Sequence, residues 1–330
     1  MTISRTSIAR RAILAMFAGA SLAAPLAASA SDFPTRPIKM IVPFPPGGAT
    51  DVVSRRMALA MEKDLGQTII VENRGGAGAI IGAEMVAKAE PDGYTILSTT
   101  AGVHVVNPAI YPKLPYDPIK SFEPISQFVA TPLALVVINK TSPFKTVQEL
   151  IAYAKKNPGK LSYGTAGSGS SLHQNGEMFK HAAGVDILHV PYKGAGPAVT
   201  DFRGGRVDMM WSYVGSVLPS VKSGEYRMLA IGSPKRLPLI ADTPTVAEVL
   251  GQPGYDADTW TGLVAPAGTP PAIIARLNKA AHAALEANKE YLLSSGYVII
   301  GGTPGEMKQR IQSELKSVTP LLAKIMGPAN

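Results

Sequence analysis

The chain has 330 residues, no cysteine, and 32 basic against 24 acidic side chains, for a formal charge of +8. Without cysteine there is no disulfide, no thiolate nucleophile and no Cys-ligated zinc. The mild positive balance, with no run of Lys and Arg interleaved with aromatics, suits small anions and excludes a nucleic-acid groove.

Residues 1–30 carry Arg5, Arg10 and Arg11, an apolar run over 12–20, and then Ala28-Ser29-Ala30, the small-x-small form of a signal-peptidase site. The run is shorter than the ~20 residues of a membrane span, so a cleaved export signal is expected, with a mature chain from Ser31 in the periplasm. The Arg10-Arg11 pair leaves general secretion and twin-arginine export open. Removing the three arginines leaves a charge of +5 on 300 residues. That length exceeds one core, and two domains are expected.

Ile38-Lys39-Met40-Ile41-Val42 reads as a strand that runs through Pro43-Phe44-Pro45-Pro46-Gly47-Gly48 into a helix starting near Ala49 or Thr50. Val53, Met57, Ala60 and Met61 mark its apolar face. Strand, glycine turn and helix start in that order make an anion site, because the first helical amides lack intrahelical partners. Gly47 and Gly48 are both expected to use positive φ or to let a ligand approach. The plain alternative is a proline-rich turn capped by Thr50 and Asp51. A second strand over 68–73 leads to Gly75-Gly76-Ala77-Gly78 and a helix with Ile81, Met85 and Val86. The spacing of Gly76, Gly78 and Gly82 fails the dinucleotide fingerprint, and no cofactor is expected. A third strand over 94–98 ends in Thr99-Thr100-Ala101-Gly102, read as a polar loop at the end of the sheet where ligands of open α/β folds lie. His104 has no metal-spaced partner and reads as a loop or packing histidine.

Residues 107–124 hold four prolines and read as an irregular connection. The apolar run 125–139 breaks at Thr131-Pro132, which predicts a strand leaving one sheet for another. A helix over 146–156 precedes a strand at 161–164 and then Thr165-Ala166-Gly167-Ser168-Gly169-Ser170-Ser171, a second glycine turn that opens a helix with Leu172, Met178 and Phe179. A serine nucleophile elbow is absent, since Ala166 stands where its first glycine belongs and Ser170 is followed by Ser171 and Leu172. Strands at 187–191, 207–211 and 227–231 alternate with helices at 197–204 and 214–222. Thr245 opens a short helix, and residues 258–264 make a second crossing back to the first domain. A helix over 271–295, a strand at 297–300 and a last helix from Met307 to Ile325, kinked or split at Pro320, complete the chain.

Seven segments in order resemble the Bug receptor family, the periplasmic substrate-binding proteins of tripartite tricarboxylate transporters: VPFPPGGATD (42–51), VENRGGAGAIIG (71–82), LPYDPIKSF (114–122), YGTAGSGSSLH (163–173), HVPYKG (189–194), TPTVAE (243–248) and WTGLVAPAGTP (260–270). Gly75, where the family pattern has proline, and Pro320 depart from it, at places read as remote from the site. The resemblance implies an α/β, two-lobed periplasmic binding protein of type II-like form, each lobe a mixed sheet flanked by helices, with two crossing segments as hinge. Lobe 1 would be residues 31–130 and 257–330, lobe 2 residues 131–256. It implies a monomer that binds a small organic carboxylate and passes it to the membrane subunits of the transporter. The site carried over is Phe44, Gly48, Ala49, Thr50 and Asp51 in the first turn and Thr165, Ala166, Ser168, Ser170 and His173 in the second, with Thr99 and Thr100 added from loop position. Backbone amides would hold the carboxylate; Asp51 reads as structural, with a direct bond to a ligand amino or hydroxyl group as the lesser alternative, and Tyr192 and Lys193 could line the cleft, a solvated lysine being the more common fate. A sensor presenting the acid to a signalling partner, or an extracytoplasmic hydrolase, are the alternatives; no metal or catalytic set is read.

Overall fold

The structure is a computed structural model that describes residues 33–328; the expected export signal at 1–30 lies outside them. Ile38, Met40, Ile41 and Val42 are wholly buried, the signature of a strand covered by helices on both faces. That strand, β1 (Ile38–Val42), starts a run of α1 (Ala49–Leu65), β2 (Ile69–Asn73), α2 (Ile80–Ala87) and β3 (Thr95–Thr100). β1 pairs in parallel with β2 on one side and β3 on the other, as helical crossovers require.

The polar loop expected at 99–102 is not a loop. β3 runs through Thr100, and a π-helical turn, Gly102–Val106, passes directly into α3 (Asn107–Ile110). The connection at 107–124 therefore opens with one helical turn, because Pro108 sits at a helix start, where its missing N–H costs nothing. β4 (Phe122–Thr131) and β5 (Leu133–Ile138) follow, separated only by Pro132. Next come α4 (Val147–Lys156), β6 (Ser162–Thr165), α5 (Ser171–Ala183), β7 (Leu188–Pro191), α6 (Ala195–Arg203), β8 (Met209–Tyr213), α7 (Val214–Lys222) and β9 (Tyr226–Ile231). After α8 (Val246–Leu250), β10 (Thr259–Pro266) returns the chain to the first sheet. The chain ends in α9 (Pro271–Ala287), α10 (Lys289–Ser294), β11 (Val298–Ile299) and α11 (Pro304–Met326).

The strands form two mixed sheets, ordered β11-β4-β10-β3-β1-β2 and β7-β6-β8-β5-β9. The chain passes between them at Pro132 and again over residues 232–258. The helix expected over 271–295 is two helices, broken at Asn288, whose side chain donates to Ala284 O at 2.9 Å. In contrast, α11 runs unbroken through Pro320. Its first half, with Met307 and Ile311, packs on Trp260 and Phe122 of the six-stranded sheet. Its second half, with Leu322, packs on the core of the five-stranded sheet with Trp211 and Phe179. Burial on both sides of Pro320, at about 1.5–3 kcal/mol per large side chain, offsets a proline defect of roughly 3 kcal/mol. Thr319 Oγ1 adds a bond to Val105 O at 2.9 Å.

Candidate functional site

α1 begins without a side-chain cap. The carboxylate of Asp51, the one acid in its first turn, reaches back past the helix start instead. It accepts from Gly47 N at 2.9 Å, from Asn73 Nδ2 at 2.8 Å and from Arg55 Nε at 3.1 Å. Burial pushes the Asp51 carboxyl up, but the Gly47 amide, Arg55 and Asn73 outweigh it and hold it below the ordinary carboxylate range. Asn73 also donates to Phe44 O at 3.0 Å, so the end of β2 fastens the turn that follows β1. With Asp51 so engaged, the amides of Ala49, Thr50 and Asp51 have no protein acceptor among the described residues, and the carboxylate itself serves the turn.

Two expectations about this turn are corrected. Positive φ falls on Gly47 alone, at +85°; Gly48 is extended at φ −74°, and a Cβ there would meet nothing nearer than Pro45 O at 3.8 Å. Gly48 is therefore replaceable as far as the backbone is concerned, and Gly47 is the residue under conformational constraint. Nor is Gly75 remote: a Cβ on it would stand 3.2 Å from Pro45 N. Its lack of a side chain lets the strand end close on the proline turn.

Thr99 and Thr100 are buried at the end of β3. The Thr99 hydroxyl pairs with His104 Nε2 at 2.9 Å, and His104 Nδ1 lies 2.6 Å from Pro118 O. His104 stacks on Trp260 and meets the edge of Phe122; burial lowers its pKa to about 4, with the Pro118 carbonyl opposing. It is a packing histidine, and Thr99 is bound up with it.

The second turn is tied from beneath. Ser170 caps α5 by accepting from His173 N at 3.3 Å and donates its own hydroxyl to Gly167 O at 2.7 Å. His173 Nδ1 accepts the Gly169 amide at 3.1 Å. Thr165 is buried, with its hydroxyl 2.7 Å from His189 Nε2. Ser168 is exposed, Ala166 half-buried. The hydroxyls of Thr165 and Ser170 thus shape the loop, leaving Ser168 and the amides of Ser171 and Leu172 open. Tyr192 bonds Asp201 at 2.9 Å and Lys193 is exposed.

His173 and His189 stack at 4.0 Å between centroids, with Glu177 and Lys180 of α5 and Tyr163 of β6 around them. Burial lowers the His189 pKa to about 4, His173 adding to it and Glu177 opposing; burial also lowers that of His173. Both folded values lie below the ordinary 6.5 or so, so the unfolded chain takes up protons first, and the pair's contribution, full above pH ~6.5, is lost as pH falls toward 4. The melting temperature of the wild type minus that of His189→Gln should therefore fall steadily between pH 7 and 4.5. Other titrating groups, including the buried Asp256 and Asp258, are common to both proteins and cancel. A constant difference would mean that folding leaves the His189 pKa where it stands in the unfolded chain.

A cavity of about 460 Å³ opens beside Ala49, lined on one side by Tyr213, Leu218, Pro219 and Lys222, on the other by Tyr291, Ser294 and Tyr297, and at the crossing by Thr131. Helix α7 and the segment 294–297 meet closely at its edge: a Cβ on Gly215 would overlap Ser295 O. Tyr213 joins this cavity to the second turn through its hydroxyl, 3.2 Å from Ser171 Oγ. Of the residues expected at the site, Ala49 alone lines it. The second turn approaches α3 elsewhere, where a Cβ on Gly169 would lie 3.3 Å from Ile110 Cδ1. Sequence reasoning missed Tyr213, Tyr291, Tyr297 and Lys222, which sit on three separate elements and the segment before β11, with no shared motif. No group of three or more metal-ligating side chains occurs among the described residues, and none of their helices is long and apolar enough to cross a membrane.

Residues 53–326 match the model of the tripartite tricarboxylate transporter family receptor. The protein BugT of Bordetella pertussis is 38% identical over 309 residues, 92% of this chain and 94% of its own. An R. palustris protein solved with adipate superposes with a TM-score of 0.79 at 36% identity, over 90% of this chain and 100% of that one. MatC from Rhodopseudomonas palustris with bound malate gives 0.75 at 33% identity, over 88% and 100%.

Proposed function

This chain belongs to the tripartite tricarboxylate transporter receptor family, and from that premise we propose that it is a periplasmic receptor, not an enzyme, that binds a small organic carboxylate and delivers it to the membrane subunits of such a transporter. The observation that carries this reading is the uncapped start of α1, whose amides have no protein acceptor among the described residues. Pro43 to Asp51 contain no Lys or Arg, so the positive field there comes from the helix terminus, worth ~0.3–2 kcal/mol to an anion. Adipate and malate in the related structures are carboxylates of the kind such a terminus receives.

In this reading Phe44, Gly48, Ala49, Thr50 and Asp51 surround the carboxylate from lobe 1, and Ala166, Ser168 and the start of α5 from lobe 2. Residues 31–130 with 257–330 form lobe 1 and 131–256 lobe 2, and the crossings at Pro132 and near 256–258 are the hinge. Thr165, Ser170 and His173 act by holding the second turn in shape. The chain works as a monomer, exported by a cleaved leader at residues 1–30. Calorimetric titration of the purified protein with malate and with adipate tests this. One site per chain and no chemical conversion of the acid are expected; turnover of the bound acid, or no heat from these two and from an aromatic acid alike, would overturn it.

A further inference from the structure

The cavity beside Ala49 bears on which acid is taken, an inference that rests on the receptor reading above. Its volume, about 460 Å³, is within the range of small-molecule sites. Its start is the first residue of α1, where the amides are open. Beyond that the lining changes character, to three phenols, Tyr213, Tyr291 and Tyr297, with Leu218 and Pro219, and one cation, Lys222. No carboxylate lines it, so an ammonium group inside would meet no counter-charge and would pay its desolvation uncompensated. Flat aromatic walls favour a planar ring, which stacks or meets them edge-on and buries a large area at little entropic cost. The guanidinium of Arg56 already lies 3.4 Å over the Tyr291 ring, fixing that wall in place. Burial, with Tyr291 and Tyr213 close by, pushes the Tyr297 phenol up to about 12, so Tyr297 stays neutral. Lys222 forms no ion pair among the described residues and is an exposed member of the lining.

We propose that this cavity receives the body of the ligand, and that the ligand class is an aromatic carboxylic acid without an amino group, its carboxylate at the start of α1 and a polar ring substituent within reach of Lys222.

Calorimetric titration of the purified protein with 4-hydroxybenzoate, malate and L-tyrosine tests this. 4-Hydroxybenzoate is expected to bind at least tenfold more tightly than malate, with L-tyrosine weaker than both. Lys222→Gln, at an exposed position where folding is not at risk, and Tyr297→Leu should each narrow the preference for 4-hydroxybenzoate over malate to threefold or less. Malate binding with no heat from 4-hydroxybenzoate would overturn the aromatic assignment and leave the receptor reading standing. So would a preference that both variants leave intact. If none of the three acids binds, both readings fall.

Discussion

Gly176→Val is expected to lower the unfolding free energy by about 3 kcal/mol, the upper end of the ~1–3 kcal/mol typical of overpacking a filled core. Gly176 lies in α5 with its backbone against Tyr163, and a Cβ there would overlap the ring and stand 2.8 Å from the phenol oxygen. Tyr163 has nowhere to go. It is wholly buried, its hydroxyl donates to Glu177 Oε1 at 2.7 Å, and its ring stacks on His189. Replacing a helical glycine gains at most ~1 kcal/mol, less for a β-branched residue, so the clash decides the sign. At roughly 2–4 °C per kcal/mol for a large domain, scanning calorimetry should show a drop of about 6–12 °C. Gly196→Ala in α6, where a side chain would meet nothing within 4 Å, should leave the melting temperature unchanged or raised. If Gly176→Val melts with the wild type, α5 is not seated on Tyr163.

Asp51→Ala should cost about 2–3 kcal/mol of stability and at least tenfold in carboxylate affinity. The substitution strips the acceptor from the Gly47 amide and from Asn73 Nδ2, two part-buried bonds worth about 1–1.5 kcal/mol each. Arg55 contributes little, because its side chain is 48% exposed and re-enters water. Asp51→Asn keeps one acceptor and should lose about half as much. The affinity loss has a different origin from the stability loss: Gly47 at φ +85° holds the turn open over α1 only while Asp51 anchors it. Urea unfolding and calorimetry on the two variants separate the effects. Undiminished affinity in Asp51→Ala would place the ligand away from this turn.

The order of strands and helices was legible because each local signal agreed with the fold. The apolar run of β1, the glycines after it and the stripe of α1 all specify the same strand, turn and helix. Legibility ended where one residue's role depends on a distant one. Nothing in VPFPPGGATD says that Asn73 bonds Phe44 and Asp51, since both contacts follow from the register of β1 against β2. The same limit assigned positive φ to Gly48 as well as Gly47: neighbouring glycines are equivalent in sequence, and the Asp51 bond separates them. Thr99 and Thr100 read as loop because threonines end many strands, but pairing with β10 extends β3 through both. The walls of the cavity come from β8, α7 and the segment around α10, and aromatic side chains with no common spacing leave no pattern to find. Asn288 breaks a helix whose periodicity continues across it, a choice made by the side chain bonding its own backbone. The seven segments carried the family because they hold turns and caps, where glycine, proline and hydroxyl residues answer to geometry more than to size.

The claim that backbone amides, and no basic side chain, hold the ligand's carboxylate is tested most directly by following amide resonances during titration with adipate. The largest shifts are expected at Ala49 and Thr50, with Ser171 and Leu172 next, and Lys193→Ala should bind within threefold of the wild type. Unmoved amides at Ala49 and Thr50 at saturation, together with loss of binding in Lys193→Ala, would contradict it.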